Sequence, residues 1–391
     1  MSVTIFKRRA FTLVELLVVI GIIGLLAGLL LPALSSARAS ANASASANNM
    51  AGFGRGFELY ATNNDGVYTS GAFDHNRDGD VRKYGWVADL IDLKVANPGK
   101  SLDQGSRNKI NEKVGDYMGA TNKSKDLAAH ISDKVGKWAD ADTVDTTSGI
   151  AYFGGAGADA ATKARDMWTS GYNSNYATTW HLSRGDPSAT DGYASGNKNP
   201  ASGDGGLTQN HLNQGLTTAA RVALLGPARA GDGADALVAA GTTRATTGAA
   251  AGVMTAFAGK PIVKANDLLV ESFNDGMTVT FGTALGGVSG QKVHEFNDIQ
   301  PLHQPKDKDG NGGNAPILFA DMHVEKVQDT VQNDDAAVKG DGYLGNGVTR
   351  DTTGKITAVQ IDAPGYQEIS EQIWIKRLRN RQSAAGSVNE G

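Results

Sequence analysis

The chain has no cysteine in 391 residues, so disulfide cross-links and thiolate metal sites are both excluded. Aromatic residues supply only 7% of the sequence and charged residues only 20%, against fifty glycines, a balance that implies long irregular surface segments. No excess of either charge is present. The net charge is −4, and nothing in it points to a nucleic acid or other polyanionic partner. HExxH, GxSxG and GxxxxGKS/T motifs are missing, as is any cysteine nucleophile. The seven histidines (His75, His130, His181, His211, His294, His303 and His323) are scattered. No active site is legible, and an enzyme is not expected.

Long hydrophobic runs are scarce as well, which makes the one at the N-terminus stand out. Lys7, Arg8 and Arg9 precede a small residue, Ala10, and residues 11–34 are then apolar apart from Thr12 and Glu15. About 20 apolar residues suffice to cross a bilayer. The basic flank predicts that the leading end stays cytoplasmic. Glu15 is the anomaly, because a charge inside a lipid-compatible helix costs about 2–3 kcal/mol or more and needs a partner. An ordinary signal peptide has a 7–15-residue apolar core and a small-x-small cleavage site, which here would fall at Ala37–Ala39. A plain membrane anchor has no use for Glu15.

The segment Lys7-Arg8-Arg9-Ala10-Phe11-Thr12-Leu13-Val14-Glu15 resembles the leader of type IV prepilins and type II secretion pseudopilins. The family pattern is a basic leader, a small residue (usually Gly, here Ala10), then Phe-Thr-Leu-Ile-Glu or a close variant. The resemblance implies cleavage between Ala10 and Phe11 by a prepilin peptidase and N-methylation of Phe11. It also implies a bacterial inner-membrane location with the head periplasmic or extracellular. Assembly with copies of itself and with other pilins or pseudopilins would follow, into a pseudopilus or pilus-like filament. In such an assembly Glu15 would offset the amine of a neighbouring copy's Phe11. Pro32 would loosen the helix, while Gly21, Gly24 and Gly28 would let helices approach.

Beyond the apolar run the helix is predicted to continue. Residues 33–51 are rich in alanine and free of Gly and Pro, and Met50, Phe53, Phe57 and Tyr60 recur at helical spacing. Gly52, Gly54 and Gly56 predict a bend or fraying, and Asn63-Asn64-Asp65-Gly66 a stop. A helix over 11–62 would be ~75 Å long. The remainder, 63–375, reads as a β-rich head, giving an α+β fold of long N-terminal helix and mainly antiparallel strands. Strands are expected at 150–153, 177–182, 219–225, 277–282, 316–319 with 323–327, and 357–361. Short helices are expected at 85–95, 108–118, 123–138 and 159–168. Trp168, Tyr172, Tyr176 and Trp180 are four apart but interrupted by Gly171, and read as core or a β-rich rim. Residues 228–260 are a low-complexity insertion and 376–391 a polar tail.

The head is similar to planctomycete-type pseudopilin-like proteins in three stretches, 48–68, 174–185 and 311–327. Their C-terminal H-x9-DG element is altered here: Asn311 stands in place of His and Met322 in place of Gly, with Asp321 kept. Two loops fit the start of a calcium-binding pattern, one with Asp74, Asn76, Asp78 and then Gly79-Asp80, the other with Asp307, Asp309, Asn311 and then Gly312. Neither has Glu at the twelfth position, so Asp80, Asp89 or Asp321 would have to complete a shell. Two rival readings use the same anchor. One is a surface adhesin or cargo-binding protein, the other a tethered metal-dependent hydrolase built on Asp321, His323 and His303.

Overall fold

In the computed structural model of the chain, the described residues are 13–71, 82, 85–106, 108–111, 160–185, 206–228, 270, 278–280, 292–294, 299, 303, 313–328, 347–350, 356–360 and 373. The first element is a single helix, α1 (Leu13–Asn63), of 51 residues and hence about 77 Å. Its burial divides it in two. Residues 13–38 are exposed throughout, and protection by the head begins at Ala39. From there Ala43, Ser46, Met50, Phe53, Phe57 and Tyr60 form one buried stripe at three- and four-residue spacing.

The glycine-rich part of α1 does not fray. The helix is unbroken through Gly52, Gly54 and Gly56, because two of these glycines are where the head packs closest. A Cβ on Gly54 would lie 3.1 Å from Leu318 Cδ1, and one on Gly56 would lie 2.2 Å from Leu90 Cδ2. Packing therefore overrides the weak helix propensity of glycine. The helix closes as expected. Asp65 is left-handed at φ 52°, and Gly66 N donates to Ala61 O at 2.9 Å across the end of the last turn.

Against the buried stripe lies a four-stranded antiparallel sheet in the order β1-β2-β5-β6, from β1 (Tyr176–Thr178), β2 (Ala223–Pro227), β5 (Asn314–Phe319) and β6 (Val324–Gln328). Two separate antiparallel hairpins pair β3 (Thr278–Thr280) with β4 (Lys292–His294), and β7 (Gly347–Arg350) with β8 (Ile356–Gln360). The helices are α2 (Trp86–Asp92), α3 (Ala160–Ser170), α4 (Trp180–Arg184) and α5 (Gln209–Asn213). The α+β architecture is therefore the expected one. Four of the described aromatics meet at its centre. Phe53 meets Tyr176 edge-on at 5.4 Å, and Phe53 and Phe57 pack on Trp86 at 5.7 and 6.1 Å between ring centres.

Three local expectations need correction. The strand predicted at 177–182 stops at Thr178, because the Thr179 hydroxyl donates to Ala223 O at 2.6 Å and accepts from Leu182 N, opening α4. The strand predicted at 219–225 begins only at Ala223, after a 3-10 turn over Ala219–Arg221. At 108–111 the backbone is not helical: Asn111 N donates to the Asn173 side chain, and Asn111 bridges to Val270. The strand at 150–153, the helix at 123–138, most of the insertion at 228–260 and the tail lie outside the described residues. Removing the ring of Phe57, wholly buried between α1 and α2, should cost about 3–5 kcal/mol. Denaturant unfolding of detergent-solubilised Phe57→Ala checks this against the parent chain; a loss under about 1 kcal/mol would contradict the packing described.

Candidate functional site

The long helix carries the residues singled out by sequence, and the structure sorts them. Glu15 lies in the first turn of α1 and Pro32 inside it. Pro32 has no N–H, so the Gly28 carbonyl loses its helical donor, yet the helix continues. Around these positions the side chains are bare: Leu13 is 79% exposed and Leu25 68%, and a Cβ on Gly21, Gly24 or Gly28 would meet nothing. This apolar arm is long and apolar enough to span a membrane. It runs about 39 Å before the head begins. Ala10 and Phe11 lie outside the described residues.

The seat that holds the arm to the head is partly polar, and it was not expected from the sequence. Ser46, on the buried stripe, donates to Asp103 Oδ2 at 2.9 Å and reaches the Tyr176 hydroxyl at 3.3 Å. Asn49, one turn on, donates to Ser101 O at 3.0 Å and to the same hydroxyl at 3.3 Å. Asp103 is fully buried. Its carboxylate also takes the His303 ring at 2.8 Å and the Gly105 N–H at 2.6 Å. Asn175 then clamps the same loop: Asp103 N donates to its side-chain oxygen at 2.8 Å, and its amide donates to Asp103 O at 3.0 Å. Asn173 repeats the device on Lys109 O and Asn111 N. Asp103 and His303 are 200 positions apart, so spacing could not reveal the pair. The i, i+2 asparagines Asn173 and Asn175 offered the single readable hint.

Burial shapes the chemistry of this seat. The Tyr176 hydroxyl is pushed well above its ordinary range by desolvation, reinforced by the Asp103 charge, with the Ser46 and Asn49 hydrogen bonds pulling the other way. Tyr60 is raised likewise, by burial and then by Asp89, and Tyr68 is pushed up to about 12 by burial and then by Glu58. Lys109 is lowered by burial, against the attraction of Asp103.

The two acidic loops read as calcium candidates, with Asp74, Asn76, Asp78 and Asp80 in one and Asp307, Asp309 and Asn311 in the other, lie outside the described residues. The neck of the first is visible. Asp89 is fully buried and accepts from Thr69 Oγ1 at 2.8 Å and from Ser70 N at 2.7 Å, while Gly85 N donates to Ser70 Oγ at 2.8 Å. Asp89 therefore fastens the two ends of that loop together. Asp321 and His323 flank the β5–β6 turn, where the His323 ring bonds Asp321 and stacks on Phe319 at 4.6 Å. His303 bonds Asn314 O, at the opposite end of β5. The strand between them spans about 17 Å, so the proposed hydrolase trio is not brought together. Among the described residues no group of three or more His, Cys, Asp or Glu side chains is placed to hold a metal ion.

A family model described as the Prokaryotic N-terminal methylation motif matches residues 5–31. That segment is a prepilin-type N-terminus. It takes in Ala10, Phe11 and Glu15, and supports a type IV pilin-like or pseudopilin precursor, with α1 long and apolar enough to cross a membrane. The motif implies processing by a prepilin peptidase and pilin-type assembly. No curated protein and no solved structure matches the chain.

The raised tyrosines make a signed prediction for the head. Above about pH 10 an unfolded tyrosine loses its proton while the buried one keeps it. The stability contributed is therefore complete below that pH and is lost as pH rises, for Tyr68 through about 12. Lys109 acts in the opposite sense, favouring the folded state as pH rises toward its ordinary value of 10.5. The melting temperature should fall between pH 10 and 12, and Tyr176→Phe should reduce the slope. Flat melting across that range would contradict the buried hydroxyls.

Proposed function

We propose that the protein is a structural subunit of a type II secretion pseudopilus or a type IV pilus-like filament. It is cut between Ala10 and Phe11, methylated on Phe11, and held in the bacterial inner membrane with its head on the periplasmic side until assembly. The observation that carries this reading is the arm of residues 13–38, bare throughout and, up to Leu34, apolar but for Glu15, continuous with a helix that forms part of the head's own core from Ala39 onward. A mere anchor has no need to be rigidly joined to the core of its head; a filament subunit does, because the helix fixes where the head is displayed. In the filament the Glu15 carboxylate is offset by the free amine of a neighbouring copy's Phe11, as its position in an apolar bundle requires. Kinship of the head with the planctomycete-type proteins belongs to the same proposal. Its support is Met322, left-handed at φ 65° in the β5–β6 turn, where those heads carry the glycine that this conformation favours.

Mass spectrometry of the mature chain should give Phe11 as an N-methylated first residue, whereas a first residue at or beyond Ser35 would indicate an ordinary signal peptide. Glu15→Ala should insert at least as well as the parent, since the arm becomes more apolar, and should yield few or no filaments. Wild-type filament yield would remove the proposed pairing. Calcium at the first acidic loop is also proposed, on the alternation of Asp74, Asn76 and Asp78 alone. Millimolar calcium should raise the melting temperature and Asp78→Ala should abolish the rise; superimposable curves with calcium and with chelator would remove the site.

A further inference from the structure

Between Leu13 and Asn49 the chain carries two charges, Glu15 near one end of the arm and Arg38 at the other. Arg38 is exposed and immediately precedes Ala39, the residue at which protection by the head begins. Along the unbroken helix the two charges are about 35 Å apart. The hydrocarbon of a bilayer is about 30 Å thick, and helices commonly tilt by about 20°. A tilt of that order, with Arg38 reaching back along its own aliphatic stem, brings both charges to the hydrocarbon boundaries. The apolar run itself, 11–34, is centred about four residues earlier, or ~6 Å deeper toward the cytoplasm.

These two centrings predict different membrane boundaries. Centred on the apolar run, a ~30 Å slab takes in residues from about 13 to 32 and leaves Ser35 and Ser36 in water. Centred on the charges, it takes in residues from about 17 to 36 and immerses both serines. Immersion demands that a hydroxyl be satisfied within the helix, and the Ser35 hydroxyl already donates to Pro32 O at 2.8 Å. Centring on the charges also spares Glu15 from hydrocarbon until assembly.

We propose that Arg38 binds the lipid phosphates of the outer leaflet and sets the depth of the stored subunit, placing Glu15 at the inner headgroup layer. This rests on the membrane-inserted reading above, and the absence of cysteine makes the two separable. Single cysteines at Leu25, Ser36 or Ser40 are placed in the full chain, reconstituted into phosphatidylethanolamine–phosphatidylglycerol vesicles. A membrane-impermeant maleimide is added outside, and rates are referred to the outward-facing fraction labelled in Ser40→Cys. The reactive species is the thiolate, which a low-dielectric site suppresses, so an immersed cysteine should react on the order of tenfold or more slowly. Ser36→Cys should be slow and Ser40→Cys fast. Arg38→Ala should speed Ser36→Cys by about tenfold, as the arm recentres on its apolar run, and Arg38→Lys should leave it slow. Equal rates at Ser36→Cys and Ser40→Cys, or no change with Arg38→Ala, would overturn the role of Arg38 while leaving insertion intact. Fast labelling of Leu25→Cys would show an arm outside the membrane and overturn the membrane-inserted reading with it.

Discussion

The packing of one face of α1 into the head is the contact on which the rest of the structure depends. Met50, Phe53 and Phe57 are not appended to a preformed domain; they are its centre, and Trp86, Tyr176 and Leu318 surround them. Burial of a large side chain contributes about 1.5–3 kcal/mol, so this stripe supplies much of what orders a glycine-rich chain. It also fixes the fate of the rest of the helix. A helix whose second half is core cannot turn away at Ala39, so its first half must project into whatever medium adjoins the head. Up to Leu34 that projection is mostly leucine, isoleucine, valine and glycine, long and apolar enough to cross a membrane.

A cysteine-free head must fasten its loops by other means, and hydrogen bonds to buried side chains do so here. Asp103 receives donors from α1, from its own loop and from His303, joining segments 57 and 200 positions away. Asn173 and Asn175 do for the loop at 103–111 what a partner strand would do, each offering a donor and an acceptor to the backbone. Asp89 closes the neck of the first acidic loop in the same manner. Buried polar groups stabilise only while their partners stay in place. Such fastening is specific, and each clamp specifies one arrangement of chain.

Elements whose signal is local were legible in the sequence, and those whose signal is spread over the chain were not. The run at 11–34 and the stripe at Met50, Phe53 and Phe57 announce a helix by period alone, and the helix is there from Leu13 to Asn63. The strands expected at 316–319 and 323–327 are neighbours in sequence, and β5 and β6 pair across the short turn between them. Gly54 and Gly56 misled, because in isolation they weaken a helix, whereas here Leu318 and Leu90 occupy the space a side chain would need. Thr179 misled in the same way: its hydroxyl finds Ala223 O, a partner 44 residues off, and that bond ends a strand which propensity would have continued. The Asp103–His303 pair was invisible for the same reason.

The distribution of soft and stiff positions along α1 separates the bare arm from the part that the head covers. Pro32, which removes a helical hydrogen bond, falls within the bare arm, as do Gly21, Gly24 and Gly28, where added side chains would meet nothing. From Ala39 onward the helix has no proline, and Gly54 and Gly56 are packed against Leu318 and Leu90. Compliance is thus confined to the stretch without tertiary contacts, where a lost hydrogen bond or a small bend costs the head nothing. A proline at Ser46 or Met50 would instead break the helix beneath Asp103 and the aromatic cluster, at about 3 kcal/mol or more. Flexibility and rigidity lie on one unbroken helix, and the residue at which they meet is the first that the head covers.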